Sequence, residues 1–247
     1  MKTSLIFLSL LTALLFFAGC GQNKKTGTVT VQVKAKYGNQ AFALNTPNTD
    51  PNGRRIQVDN FKFYLSHIKL VKTDNSEVEI RDVILCDMSN PLSLTFNAGF
   101  INDNFKAIRF SCGIDSVQNA TDPNTITGDS NPLSNASDMY WPWLKYKFQS
   151  MEARVDTTTN ATGTFTWYPI YHIGSNAYYR TTELSKIFSV CCSDEYKLNV
   201  VLDVEKIFFG AQTLDIISER ITQSGSGDDP AIAPKFADNF SQAFSIE

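Results

Sequence analysis

The sequence predicts an all-β protein, a β-sandwich with long polar loops. Three observations carry this. Apolar and polar residues alternate at period two over several short runs, and Gly, Pro, Asn and Asp cluster between those runs. No stretch sustains a helical period, apart from short turns near Thr182–Phe188 and Val204–Phe209. The abundance of aromatic residues, 18 Phe and 9 Tyr, agrees, because aromatic and β-branched side chains pack on pleated faces.

The elements follow in order. Residues 28–36 place Val29, Val31, Val33 and Ala35 on one face and Thr28, Thr30, Gln32 and Lys34 on the other, a half-buried strand. A turn-rich segment, residues 45–53, separates it from Ile56–Val71, which reads as one or two strands through Phe61, Phe63, Leu65, Ile68 and Leu70. Asp74-Asn75-Ser76 turns the chain into short strands at Glu77–Ile80 and Val83–Leu85. Asn90-Pro91 breaks it before Leu92–Phe96. Phe105–Ile114 alternates again. Residues 116–138 are polar and turn-prone, and loops of that length are functional or disordered. Strands resume at Lys145–Val155 and Gly163–Tyr171. The clearest alternation is Tyr196–Val204, and Phe188–Cys192 extends the strand before it. The tail, 237–246, ends apolar and should dock on the body.

The first twenty residues do not belong to this fold. A basic start, an apolar run from Thr3 to Gly19 and the ending Phe17-Ala18-Gly19-Cys20 make a secretory signal, with too few apolar residues for a comfortable membrane span. Ala-Gly-Cys resembles a bacterial lipobox, in which Cys20 takes the lipid. Residues 1–19 are then a signal peptide, 20–27 a lipid-anchored tether and 28–247 a single β-rich domain, located in the cell envelope. Removing Lys2 with the signal moves the net charge from −3 to about −4, which speaks against a nucleic-acid surface.

Four cysteines remain: Cys86, Cys112, Cys191 and Cys192. In an oxidising envelope an even count permits two disulfides. Cys191 and Cys192 are adjacent, point to opposite faces if on a strand, and could each bond to Cys86 or Cys112. Paired spacing of a structural zinc site is missing.

One stretch stands out for chemistry. Residues 138–152 hold two of the three tryptophans and two of the four methionines, directly behind the long polar loop. Alternation would put Met139, Trp141 and Trp143 on one face as core. Against core stand Pro142, awkward inside a central strand, and the polar loop before it. Thioether and imidazole together suit Cu(I), a soft ion. There are two histidines. His67 shares a face with Phe61, Phe63 and Leu65 if its strand is regular, which favours a hydrogen-bonded core role. His172 follows the aromatic strand 167–171 and opens into Ile173-Gly174-Ser175-Asn176, where a ligand can approach. Nucleophile elbows, phosphate loops and His-Glu-x-x-His are missing, so an enzyme is not expected.

Four segments carry a resemblance: Phe61-Lys62-Phe63-Tyr64-Leu65-Ser66, Met139-x-Trp141-x-Trp143 with Tyr146-Lys147-Phe148, Tyr171-His172-Ile173-Gly174, and Ala237-Asp238-Asn239-Phe240. With their order, they make the chain similar to the MbnP-like proteins, copper-binding proteins encoded beside methanobactin operons. The resemblance implies copper as cofactor and a partner, a di-haem enzyme of the bacterial peroxidase type, that oxidises a tryptophan to kynurenine. By position it implies Trp141 or Trp143 as the modified residue, with Met139 and His172 beside it. The chain departs from the pattern at Pro142, in a short link from Trp143 to Tyr146, and at Ala243, where many relatives have Met. His67 and the cysteines fall outside the shared pattern. The rival reading is a surface-interaction or adhesion lipoprotein whose aromatic run is core and binds no metal.

Overall fold

A computed structural model describes residues 25–158, 160–225 and 228–247. The expected signal peptide and Cys20 lie outside these residues. The strands are β1 (Gly27–Tyr37), β2 (Gln40–Ala41), β3 (Asn48–Thr49), β4 (Arg55–Lys72), β5 (Glu77–Asp87), β6 (Thr95–Ile101), β7 (Asp103–Cys112), β8 (Tyr140–Trp141), β9 (Lys145–Asp156), β10 (Ile170–Gly174), β11 (Arg180–Val190), β12 (Glu195–Asp203), β13 (Ile221–Thr222) and β14 (Phe244–Ile246). Among the described residues three α-helices join them: α1 (Ser116–Ala120), α2 (Glu205–Phe209) and α3 (Ile232–Gln242).

The strands form two mixed sheets. The smaller runs β14-β12-β1-β2, with β6 also on β1. Its centre is a parallel pairing of β1 with β12, Thr28 opposite Glu195 through Lys36 opposite Asp203. The larger runs β11-β7-β4-β9-β10-β13, with β3 and β5 on β4 and β8 on β9. The expected β-sandwich is therefore present, and its core is the apolar face of each sheet. Val29, Val31 and Val33 of β1 meet Phe61, Phe63 and Leu65 of β4 within one buried cluster.

β4 is one long strand rather than two, and it organises the larger sheet. One of its edges pairs with β5. The other edge pairs first with β9, up to Phe63–Gln149, and then with β7, from Leu65–Cys112 onward. Between these two pairings the chain leaves at Gly113 and returns at Phe148. Gly113 has φ +102°, and an added Cβ there would lie 2.5 Å from the Phe148 ring, so only glycine fits.

The excursion 113–145 folds back over the outer face of the same sheet. Alternation sends Tyr64 to that face, opposite to Phe63 and Leu65. There Tyr64, Ile114, Leu133, Met139, Tyr146 and Phe148 form a second buried cluster. The Tyr64 hydroxyl donates to the Pro132 carbonyl at 2.8 Å, and the Tyr146 hydroxyl donates to that of Leu133 at 2.6 Å. Polar residues make the loop ordered, because their side chains cap short turns. Asp115 and Gln118 form a reciprocal capping box on α1, and Asp122 caps the turn at 123–125.

Several elements differ from the sequence reading. The two short strands expected at Glu77–Ile80 and Val83–Leu85 are one strand, β5, and the strand expected at Gly163–Tyr171 is strand only from Ile170, with a single bridge from Trp167 to Val155 before it. Thr182–Phe188 is strand, part of β11, since it pairs along β7. The tail does dock, but as a helix. Ile232, Ala233, Phe236, Ala237 and Phe240 recur at helical spacing and are buried against the main core. Pro234 stands in the first turn of α3, where a missing N–H costs nothing.

The cysteine expectation is corrected as well. Cys86, Cys112, Cys191 and Cys192 are all free thiols. Cys86 faces Phe63 across one edge of β4, and Cys112 faces Leu65 across the other. Two strand spacings, about 9.5 Å, exceed the reach of a disulfide. Cys191 and Cys192 follow the end of β11, in the turn before β12.

Candidate metal centre at Trp141 and His172

Residues 138–147 make a small hairpin rather than a strand of alternating core residues. Asp138 takes a left-handed conformation, φ +57°, and tips the chain into β8. Tyr140 and Trp141 then pair with Tyr146 and Lys145. The Leu144 N–H donates to the Trp141 carbonyl at 3.1 Å, so Pro142 and Trp143 occupy the tip. Proline fits there because no ladder hydrogen bond is lost. The Lys147 N–H donates to the Met139 carbonyl at 2.7 Å and closes the base.

This hairpin separates the residues that the sequence placed on one face. Met139 is fully buried in the second cluster with Tyr64, Tyr146 and Phe148. Trp143 is 58% exposed. Trp141 lies between, half-buried, its ring stacked on Trp143 at 5.2 Å between centroids and 28° between planes. The edge-on partner of Trp141 is His172, at 4.8 Å and 86°. Trp141, Trp143 and His172 are thus brought together from 31 positions apart in sequence, and Met139 sits at the root of the same hairpin.

His172 is in the middle of β10 rather than past the end of a strand. It lies opposite Ser150 of β9, and β9 carries Glu152 on the same face. His172 Nε2 is 3.2 Å from Glu152 Oε1. With the carboxylate accepting, Nε2 holds the proton and Nδ1 presents its lone pair. Nδ1 is buried and has no hydrogen-bond partner among the described residues. The backbone is fixed from the other side: the Ser224 hydroxyl donates to the His172 carbonyl and accepts from the Gly174 N–H, both at 3.1 Å.

Sequence reasoning missed Lys147, Glu152 and Ser224. Lys147 lies inside the conspicuous run, but nothing in the spacing says that its ammonium sits 4.5 Å from the centre of the Trp141 ring. Burial pulls the Lys147 ammonium below the usual lysine range, with Lys62 adding to this and Asp138 and Glu152 opposing it. Burial likewise holds His172 below the usual imidazole range; the Lys147 charge adds, and Glu152 and Asp138 oppose. The site therefore keeps a neutral imidazole at neutral pH, the form that ligates metals.

His67 is a different case. The expected alternation breaks at a bulge between Ser66 and Lys69, where His67 takes φ +47° and turns out of the core. Its Nε2 is 2.8 Å from Asp115, and Nδ1 is 3.5 Å from Glu79 and 3.8 Å from Asp82. Burial lowers its pKa, but hydrogen bonds to Asp115 and Glu79 outweigh burial, so the net direction is upward. A raised folded-state pKa gives stability that is full below the unfolded value, about 6.5, and lost as pH rises through the folded value. His67→Gln should lower the melting temperature more at pH 5.5 than at pH 8. Equal losses at both pH values, by thermal melts, would count against this pairing.

The fold and the site together define a β-sandwich with an aromatic-histidine cluster beneath an ordered loop. The chain belongs to the MbnP family, whose model matches residues 26–226. Its fold is similar to that of MbnP from Methylosinus trichosporium, with a TM-score of 0.54 and 17% identity over 90% of this chain and 98% of that one. A likeness at that identity concerns the fold alone. A comparison with curated protein sequences finds no match. Membership links the chain to a family associated with methanobactin and copper.

Proposed function

We propose that this chain is a lipid-anchored envelope protein that binds copper and is not itself a catalyst. In this reading Trp141 is oxidised to kynurenine by a di-haem partner enzyme, and the modified side chain joins His172 in holding the metal. The observation that carries the proposal is the unpartnered His172 Nδ1 on a ring packed edge-on against Trp141. Of the two tryptophans, Trp141 touches His172 and Trp143 is the outer, exposed member of the stack. Imidazole and aniline nitrogen are ligands that suit copper. The Lys147 ammonium over Trp141 opposes a cation, so uptake requires that it move or lose its proton. Met139, buried at the hairpin base, would have to turn out of its cluster to ligate.

The oxidation balances with hydrogen peroxide as oxidant. Two peroxide molecules deliver two oxygen atoms across the indole C2–C3 bond, which breaks, and two waters leave. Hydrolysis then releases the formyl group as formate and frees the aniline nitrogen. The test is peptide mass spectrometry of protein purified from its own envelope, with copper measured on the same sample. The expected result is a peptide spanning Trp141 and Trp143 that has gained one oxygen and lost one carbon, in copper-bearing protein. Intact tryptophans and no retained copper would leave the run as packing and favour the surface-interaction reading.

A further inference from the structure

His67, which the Trp141–His172 site does not use, stands among three carboxylates. We propose that His67, Glu79 and Asp82 are the protein ligands of a separate metal site, one for a divalent transition ion of the zinc class. The inference does not rest on the copper reading. Lys62 of β4 lies opposite Ser150, and Ser150 lies opposite His172. His67 is five residues further along β4, about 16 Å, and Glu79 and Asp82 belong to β5, on the other edge.

The ligand geometry carries it. One ligand atom of each of the three side chains lies within 4.8 Å of the other two. His67 Nδ1 is 3.5 Å from Glu79 Oε2 and 3.8 Å from Asp82 Oδ1, at or beyond the long limit of a hydrogen bond. Bonds of about 2.0–2.1 Å to a tetrahedral zinc put ligand atoms about 3.4 Å apart, so each contact to the ring has to close by less than about half an ångström. On a regular strand, residues three apart point to opposite faces, and Glu79 and Asp82 could not then meet on one ring. Here the ladder slips between Ile68–Arg81 and Lys69–Glu79, with Ile80 as the extra residue of β5. A bulge re-aims side chains in this way.

The imidazole is oriented from its far side. Its Nε2 is 2.8 Å from Asp115 Oδ2. With that carboxylate accepting, Nε2 holds the proton and Nδ1 turns its lone pair towards Glu79 and Asp82. Asp115 is itself fixed, because its Oδ1 accepts the Val117 and Gln118 N–H groups, both at 2.8 Å. The Gln118 amide in turn donates to Asp82 Oδ1 at 2.8 Å, which leaves that oxygen a further lone pair. A histidine backed by a carboxylate is the arrangement that holds metal-ligating imidazoles in place.

Charge and donor type select the ion. Among the described residues no Lys or Arg nitrogen comes within 4.0 Å of Glu79, Asp82 or Asp115, whose ion-pair partner is His67 alone. Glu77, on the same strand, is by contrast met by Lys69 and Arg109. One imidazole with two carboxylates suits zinc, whereas calcium takes roughly six to eight oxygens and Cu(I) prefers softer sulfur donors. Glu79 and Asp82 are exposed and His67 is partly buried, so an ion can enter and keep a water as its remaining ligand.

The experiment is equilibrium dialysis of the folded chain against Zn(II) alone, with melting curves on the same samples. The wild-type chain should bind an equivalent of zinc that Glu79→Gln/Asp82→Asn loses or holds at least about 100-fold more weakly, more than the loss of an outer-shell partner costs. Both residues are exposed, and the changes remove charge rather than volume, so this variant keeps its fold. His67→Ala should lose the same equivalent. Asp115→Asn still caps α1 and keeps all three ligands, and should weaken zinc about 10- to 100-fold. Zinc should raise the melting temperature of the wild-type chain and not that of the double variant. His172→Ala should retain the equivalent, so a failure of copper binding at His172 leaves this result standing. Unchanged zinc stoichiometry and affinity in the double variant would overturn the site. Displacement of the zinc by an equal concentration of Ca(II) would overturn the imidazole as its ligand.

Discussion

On the proposed reading, His172→Ala should lower the copper affinity of protein carrying the kynurenine by at least about 100-fold, which exceeds the 10- to 100-fold range for losing an outer-shell partner of a ligand. The argument starts from the ring's two nitrogens. One faces Glu152 at 3.2 Å and the other is buried without a partner. A buried polar atom left unpaired costs stability, and a metal bond would satisfy it. Glu152→Gln keeps the ring but weakens its orienting hydrogen bond, and should cost about 10- to 100-fold. Chelator competition on both variants gives the comparison. An affinity that is unchanged in His172→Ala sinks the histidine as a ligand. Melting curves add a second reading, because a ligand that binds only the native state must raise the melting temperature, and that rise should vanish in the His172 variant.

Phe240→Ala should destabilise the fold by about 3–5 kcal/mol, the usual cost of emptying a buried aromatic position. Phe240 is fully buried and meets three other rings near right angles: Phe61 at 6.1 Å, Phe63 at 5.1 Å and Phe244 at 5.1 Å. Those rings belong to β4 of the larger sheet and β14 of the smaller, so one side chain of α3 ties both layers together. Losing it should loosen α3 and β14 together. Urea unfolding measures the cost, and hydrogen exchange localises it. A loss under about 1 kcal/mol would mean that the neighbouring rings close the gap.

What the sequence made legible was the local, periodic part. β1 and the first half of β12 follow from alternation, because each buries one face and leaves the other more exposed; β9 was legible as an apolar and aromatic run, and it is buried on both faces from Tyr146 to Met151. The helix α3 escaped because Pro230 and Pro234 look like breakers, although a proline in the first turn is tolerated. Pairing was hidden too. β4 changes neighbours halfway along, and no periodicity encodes which strand lies beside which. At the site, the odd composition of 138–152 drew attention to Trp141 and Trp143, but the hairpin that parts them from Met139 depends on Pro142 and the left-handed Asp138 and Lys145. Glu152 and Lys147 matter only through the register of β9 with β10 and β8. The two cysteines at 191–192 were misjudged for a related reason: a strand was expected where the chain reverses.

The parallel pairing of β1 with β12 bears on the order of assembly during synthesis. β1 is the first strand of the body to be made, yet its central partner is among the last. Until Glu195–Asp203 emerges, that flank of β1 carries bare amide and carbonyl groups, the kind of open edge that invites pairing with a neighbouring chain. Closing so wide a loop adds only modest entropy cost, but contacts between distant segments slow folding. A nascent chain of this protein therefore has to be kept from its fellows until its C-terminal quarter is complete.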